Sequence, residues 1–169
     1  MTDDIRAAAA RYYDLTPQFP NDVPYYRALI PAPEASVLEL GCGTGRVLMQ
    51  LAPRCAFIHG IDRSESMLAI CRQKLHDARL LPSKVTISAG DICDVQLGRT
   101  FDLIIAPWRA FQNLELVGEV ALQIPMRCYY PDEFAALVAS RDFRIVERWG
   151  GYAGERYGDG SELVVQFAG

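Results

Sequence analysis

Several things are scarce in this sequence, and each scarcity closes off a class of function. Only two histidines occur, His59 and His76. Neither lies near a pair of cysteines, and a zinc site needs clustered Cys and His ligands, so no metal is expected. The five cysteines, at 42, 55, 71, 93 and 128, contain no CxxC pair, and their number is odd. Reduced thiols in a cytoplasmic protein are the simplest expectation. No apolar run approaches the roughly 20 residues of a membrane span, so no membrane partner is expected. Lysine and arginine are outnumbered by aspartate and glutamate, 17 against 21, for a formal net charge of −4. That balance, without a basic run, argues against a nucleic-acid-binding face.

What is present is an ordinary globular composition, half hydrophobic and 22% charged. The 169 residues suit one domain with a real core. The most informative stretch is VLELGCGTGR, residues 37–46. Val37 to Leu40 suits a buried strand. Gly41, Gly43 and Gly45 follow at alternate positions, and a helical apolar pattern starts at Val47, Leu48 and Leu51. Strand, glycine turn, helix is an arrangement that brings backbone N–H groups and a helix N-terminus up to a nucleotide-like ligand.

The rest of the chain alternates strands with helices. A helix is expected over 3–13, with Asp3 and Asp4 in its first turn, and a second short helix capped by Asp22. Thr44 to Ala52 reads as the first crossover helix and Cys55–Ile61 as the second strand. Ser64 caps a helix carrying Met67, Leu68, Cys71 and Leu75 on one face. Further strands are expected about Lys84–Ser88 and Phe101–Ala106. After a helix through Phe134, Leu137 and Val138, strands at Phe143–Trp149 and Leu163–Phe167 enclose a loop with five glycines. The expected fold class is α/β, a Rossmann-like doubly wound, mostly parallel sheet with helices on both faces. A C-terminal antiparallel β-hairpin is expected at the sheet edge.

Two acids stand where this fold places ligand contacts. Asp62 ends the second strand, about twenty residues past the first glycine, where an acid accepts ribose hydroxyls. The alternative reading, a helix-cap acid before Ser64, is the weaker one, because Asp62 coincides with the glycine turn. Asp91, followed by Ile92, lies past the third strand and reads either as an adenine contact or as a turn aspartate. Met67 fits either a ring contact or the helix core.

These runs together, VLELGCGTGR, GID at 60–62, AGDI at 89–92 and FDLIIAPW at 101–108, resemble the successive motifs of class I S-adenosylmethionine-dependent methyltransferases. The opening RYYDLTPQFPNDVPYY resembles the N-terminal cover of that family's small-molecule members, and YYPDEFAALVASRDFRIVERWG its C-terminal helix and hairpin. The resemblance implies S-adenosyl-L-methionine as cofactor and a small molecule as methyl acceptor. It implies Gly41, Cys42 and Gly43 along the methionine part, Glu39 on its ammonium, and Asp62 on ribose with Arg63 beside it. Asp91 and Ile92 would hold adenine, with Met67 on the ring's other face. Ala106 and Pro107 would face the sulfonium, and Tyr13 would close over the cofactor. Trp108, Arg109, Gln112, Tyr12 and Tyr130 would shape the acceptor site. No catalytic base is implied. The implied organisation is a single domain: a cover at 1–33, a cofactor-binding half at 34–113, and a substrate side with hairpin at 114–169. Two other readings of the same residues are a non-catalytic cofactor- or partner-binding module and an NAD(P)-dependent oxidoreductase. The latter departs from its GxGxxG fingerprint at Arg46.

The resemblance breaks after Gln112. Between Leu114 and Arg127 there is too little chain for the family's helix, turn and fifth central strand. Gly118–Arg127 (GEVALQIPMR) reads as one strand instead. Either a segment lies outside this sequence, or it is deleted, or this strand substitutes for the fifth, including by exchange within a homodimer. A fifth central strand missing or replaced would leave apolar strand edges without partners, and such edges favour association.

Overall fold

The computed structural model describes residues 4, 6–15, 19–94, 96–108, 110, 131–158 and 164–168. Tertiary contacts divide the chain into two compact units, Met1–Met126 and Arg127–Gly169. Among the described residues, no helix is long and apolar enough to cross a membrane.

The first unit starts with two short helices, α1 (Ala7–Tyr13) and α2 (Val23–Ala28). Strand β1 (Ser36–Leu40) follows, then the glycine turn and a four-residue helix α3 (Leu48–Leu51) that tightens into a 3₁₀ turn at Ala52–Arg54. The rest is β2 (Phe57–Asp62), α4 (Glu65–Asp77), β3 (Val85–Ala89) and β4 (Leu103–Ile105). The four strands form one parallel sheet in the order β3-β2-β1-β4. Glu39 lies between Gly60 on one side and Ile105 on the other. The chain steps from β1 to β2 to β3 in one direction, so right-handed crossovers put α3 and α4 on the same face. It then returns past β1 to β4. The order therefore reverses between β1 and β4, the crevice in which such sheets bind ligands.

The core is built where the sequence is apolar on the strand and helix periods. Val37, Ile58, Ile61, Leu48, Leu51, Met67, Leu68 and Cys71 are fully buried. Gly60 has a packing reason: a Cβ there would lie 2.5 Å from Leu48 Cδ1 and 2.9 Å from Cys42 Cβ. A side chain at 60 would hold α3 and the turn off the sheet. His59 faces the other way, with Nδ1 2.7 Å from Thr86 Oγ1 and Nε2 3.0 Å from Ser88 Oγ.

Ser64 caps α4 as expected, its hydroxyl accepting from the Met67 N–H. Three other expectations change. The first crossover helix is shorter than Thr44–Ala52, because the chain stays in turns through Val47 before helical bonding begins. Asp22 precedes α2 but makes no cap bond, since its own backbone is helical (φ −91°, ψ −19°) rather than extended. Asp4 precedes α1 instead of lying in its first turn: its Oδ1 accepts from the Arg6 N–H at 3.1 Å, and the same carboxylate also reaches a second helix. It lies at the start of α4, accepting from Ser64 Oγ and the Ser66 N–H, both at 2.8 Å.

The second unit holds α5 (Pro131–Ala139) and an antiparallel pair, β5 (Arg144–Trp149) with β6 (Val164–Ala168), whose register shifts between Ile145 and Glu147. The fold is thus the expected Rossmann-like α/β type, a parallel sheet followed by a C-terminal hairpin. The stretch 114–127, with the questions about a deletion and a fifth strand, lies outside the described residues.

Candidate functional site

The C-terminal ends of all four parallel strands meet at the glycine turn. The turn needs its glycines: φ is +73° at Gly41, +53° at Gly43 and +83° at Gly45, where a Cβ would be strained. A Cβ on Gly41 would lie 3.1 Å from Ala110 Cβ, so the segment leaving β4 runs past the turn. The Gly90 N–H donates to the Asp62 carbonyl at 3.0 Å, which brings the exit of β3 to the same place.

Every buried polar or charged side chain among the described residues belongs to this region. They are Asp22, Glu39, Thr44, Asp62 and Ser64. Asp62 ties the turn to α4: its Oδ2 accepts from the Gly43 N–H at 2.8 Å and its Oδ1 from the Ser64 N–H at 2.9 Å. A carboxylate has about four acceptor positions, so two remain for ligand hydroxyls.

The turn does not present its N–H groups as the sequence pattern suggests. Those of Gly41 and Cys42 donate to the Ile61 carbonyl, that of Gly43 to Asp62, and that of Gly45 to the Cys42 carbonyl. Beneath the turn stands an acceptor instead. Glu39 is 2% exposed and its Oε2 has no partner. Burial pushes this carboxyl well above the ordinary range; Arg46 pulls it down, while Asp22 and Asp62 push it further up. A raised folded-state value means that the fold holds the proton more tightly than the unfolded chain does. The stability this contributes is complete below the unfolded value and is lost as pH rises through the folded one. Glu39→Gln removes that loss. The variant should melt higher than wild type at pH 8, by a margin that narrows at pH 5. Equal melting temperatures at both pH values would show that Glu39 is not a strained group.

The N-terminal segment is fastened to this region by three aspartates. Asp4 holds the start of α4 as described. Asp14 accepts from Thr44 Oγ1 at 2.7 Å and pairs with Lys74 Nζ at 2.6 Å. Asp22 takes both terminal nitrogens of Arg46, at 2.6 and 2.7 Å. Arg46 also lies 4.8 Å from the ring centre of Phe19. Phe19 in turn bridges Tyr13 (5.2 Å) and Trp108 (4.9 Å, edge-on). Trp108 has φ +36°, a backbone strain that a bulky residue adopts only where its surroundings impose it. Tyr13 is half-buried, which raises its phenol, and it feels Arg6, Arg46 and Asp62.

Cys42 is buried, and burial with Glu39 nearby raises its thiol. Cys71 is also buried, its thiol pushed up to about 11 by burial and by Glu39. Met67 is fully buried in the core stripe of α4. Arg63 and Asp91 are exposed, and Asp91 Oδ1 accepts from the Cys93 N–H at 2.9 Å. Ile92 and Ala106 are half-buried and Pro107 is buried. Tyr12 is exposed, with Arg11 4.8 Å from its ring centre. Arg109, Gln112 and Tyr130 lie outside the described residues. Sequence reasoning missed Asp4, Asp14, Asp22, Arg46, Phe19 and Gly60. The one available signal was the recurrence of aspartates, at 3, 4, 14 and 22, in a segment otherwise rich in alanine, tyrosine and proline.

In sequence, the chain is 31% identical over 115 residues to the dTDP-3-amino-3,6-dideoxy-alpha-D-glucopyranose N,N-dimethyltransferase of Streptomyces fradiae. It is 29% identical over 129 residues to the dTDP-3-amino-3,4,6-trideoxy-alpha-D-glucopyranose N,N-dimethyltransferase of Streptomyces venezuelae. These matches take in 68% and 76% of the chain but only 40% and 48% of the two enzymes, so the chain spans less than half their length. In structure, the CcbJ methyltransferase of Streptomyces caelestis has the same fold, with a TM-score of 0.76 at 19% identity over 98% of each chain. The SAM-bound amino pentose methyltransferase CalS10 of Micromonospora echinaspora matches at 28% identity and a TM-score of 0.50, over 64% of this chain and 44% of its own. The family model described as "Methyltransferase domain" matches residues 37–123, just over half of the sequence, from the first strand onward. A match of that extent, through the turn and Asp62, shows that the chain belongs to the methyltransferase domain family.

Proposed function

We propose that this chain binds S-adenosyl-L-methionine and transfers its methyl group to a small-molecule acceptor. The observation that carries the reading is the unpaired, fully buried Glu39 oxygen beside the glycine turn. A dinucleotide pyrophosphate needs free N–H donors at the turn, and four of those are spent internally. A cationic amino-acid end needs an acceptor, and Glu39 supplies one. This favours the methyltransferase reading over the oxidoreductase one.

In this reading Gly41, Cys42 and Gly43 flank the methionine part, and Asp62 takes the ribose hydroxyls, with Arg63 beside it. Asp91 and Ile92 hold adenine, and Met67 backs the ring through the core. Ala106, Pro107 and Trp108 border the sulfonium. When bound, the sulfonium supplies an already activated methyl. What the chain adds is alignment and exclusion of water. The Tyr13–Phe19–Trp108 wall is suited to that, being aromatic and closed over the turn by Arg46. Arg109, Gln112, Tyr12 and Tyr130 remain candidates for the acceptor side. An amine is the first acceptor class to try, since both curated relatives above are named as N,N-dimethyltransferases. The free thiols of Cys42, Cys55 and Cys71, all buried, support a cytoplasmic setting.

Calorimetric titration with S-adenosylmethionine and S-adenosylhomocysteine tests the reading. Roughly micromolar affinity for both is expected. No binding by the folded chain would overturn it.

A further inference from the structure

Asp22, Arg46 and Glu39 form a cluster of two carboxylates and one guanidinium, and the charge is divided unevenly. Asp22 is fully buried and Glu39 nearly so. Both terminal nitrogens of Arg46 go to Asp22, none to the open oxygen of Glu39. Yet Arg46 is a cation whose charge Glu39 feels. A guanidinium beside an open carboxylate forms a charge-assisted pair unless something else holds it. Asp22 is what holds it. A buried ion pair adds little net stability over an apolar pair of the same size, so stability is a weak reason for this one.

We propose that Asp22 is a positioning residue of the cofactor site: by holding Arg46 it keeps the open oxygen of Glu39 for the ammonium group of the incoming ligand. The inference rests on the S-adenosylmethionine reading above. The groups that face Glu39 are Arg46 from the turn, Asp22 from the start of α2 and Asp62 from the end of β2; the Cys42 and Cys71 thiols feel its charge. With Arg46 occupied, burial favours the protonated form of Glu39 in the empty site. When an ammonium docks, the carboxylic acid gives that proton to solvent and becomes the carboxylate partner. Binding therefore releases about one proton per site below the empty-site pKa of Glu39.

The test is calorimetry of the full chain with S-adenosylhomocysteine at pH 7, in phosphate and in Tris, whose different ionisation heats count the protons released. Wild type should show net proton release on binding. In Asp22→Asn, Arg46 swings to Glu39. Affinity should then fall roughly 10- to 100-fold, the worth of one charge-assisted contact, and proton release should vanish. Adding Arg46→Met to Asp22→Asn removes the competitor, so affinity and proton release should both return. Asp22→Glu should also bind and release a proton. A merely structural Asp22 predicts the opposite: a double variant no better than the single one, and an unchanged proton count. The double variant lacks any buried charge at this pair and is expected to fold even if Asp22→Asn does not. Its affinity then decides the matter: binding as tight as wild type shows that the Asp22 carboxylate is needed only to hold Arg46, and weakened binding overturns the inference. Binding by wild type without proton release, or full affinity in Asp22→Asn, overturns the inference alone. No binding by folded wild type overturns the proposed function itself.

Discussion

Asp62→Ala should lose about 2–5 kcal/mol of folding stability, because it leaves two buried backbone donors without acceptors. Those donors are the N–H groups of Gly43 and Ser64, one in the turn and one at the cap of α4. Asp62 is 8% exposed, so water cannot easily replace it. A loss of that size is a large share of the 5–15 kcal/mol that holds a domain together. Urea denaturation reads it directly. The same variant should bind S-adenosylhomocysteine about a hundredfold more weakly, since the ribose contacts proposed for Asp62 lose their acceptor. The two readouts separate the roles. A stability loss below about 1 kcal/mol would contradict the bonding role argued from the structure. An unchanged affinity in a folded Asp62→Ala variant would contradict the ribose assignment.

The second large effect is expected at Gly45. Its φ of +83° costs any L side chain about 1–2 kcal/mol. In addition, an alanine Cβ would lie 2.7 Å from Cys71 Sγ, in a fully packed part of the core. Overpacking of that kind adds roughly 1–3 kcal/mol. Gly45→Ala should therefore cost about 2–5 kcal/mol in total. Shaving the neighbour distinguishes the two causes. Once Cys71→Ala is present, adding Gly45→Ala should cost only the backbone part, because the atom nearest the new methyl is gone. A double-mutant cycle with no coupling would mean that backbone strain alone is at work.

These expectations rest on different kinds of legibility. The strand Ser36–Leu40, its glycine turn and Asp62 could be read from the sequence because each obeys a local rule. A short apolar run, three alternate glycines and an acid at a fixed distance need no knowledge of distant partners. Ser64 as the cap of α4 was legible for the same reason. Asp22 and Asp4 were not. Asp22 has the residue type and position of a helix cap, yet its carboxylate goes to Arg46, 24 residues away. Asp4 keeps the Arg6 N–H at the start of α1, but its carboxylate also reaches Ser64 and Ser66, some 60 residues away. A cap needs an extended backbone at the capping residue, and Asp22 has a helical one. The length of the first crossover helix misled for a related reason. Three glycines with positive φ and the diversion of Thr44 to Asp14 delay helical bonding until Leu48.

The sequence by itself determined the order of strands and helices, the class of sheet, the place of the turn and the acid that follows it. Apolar periodicity and glycine are properties of the chain wherever it goes, so these could be known in advance. Only the tertiary structure decided which polar groups meet. It sent the turn's N–H groups inward, gave Arg46 to Asp22, and left one oxygen of Glu39 open beneath the turn. A carboxylate accepts from whichever donor the packed fold brings within about 3 Å, and that choice is made only when distant segments come together.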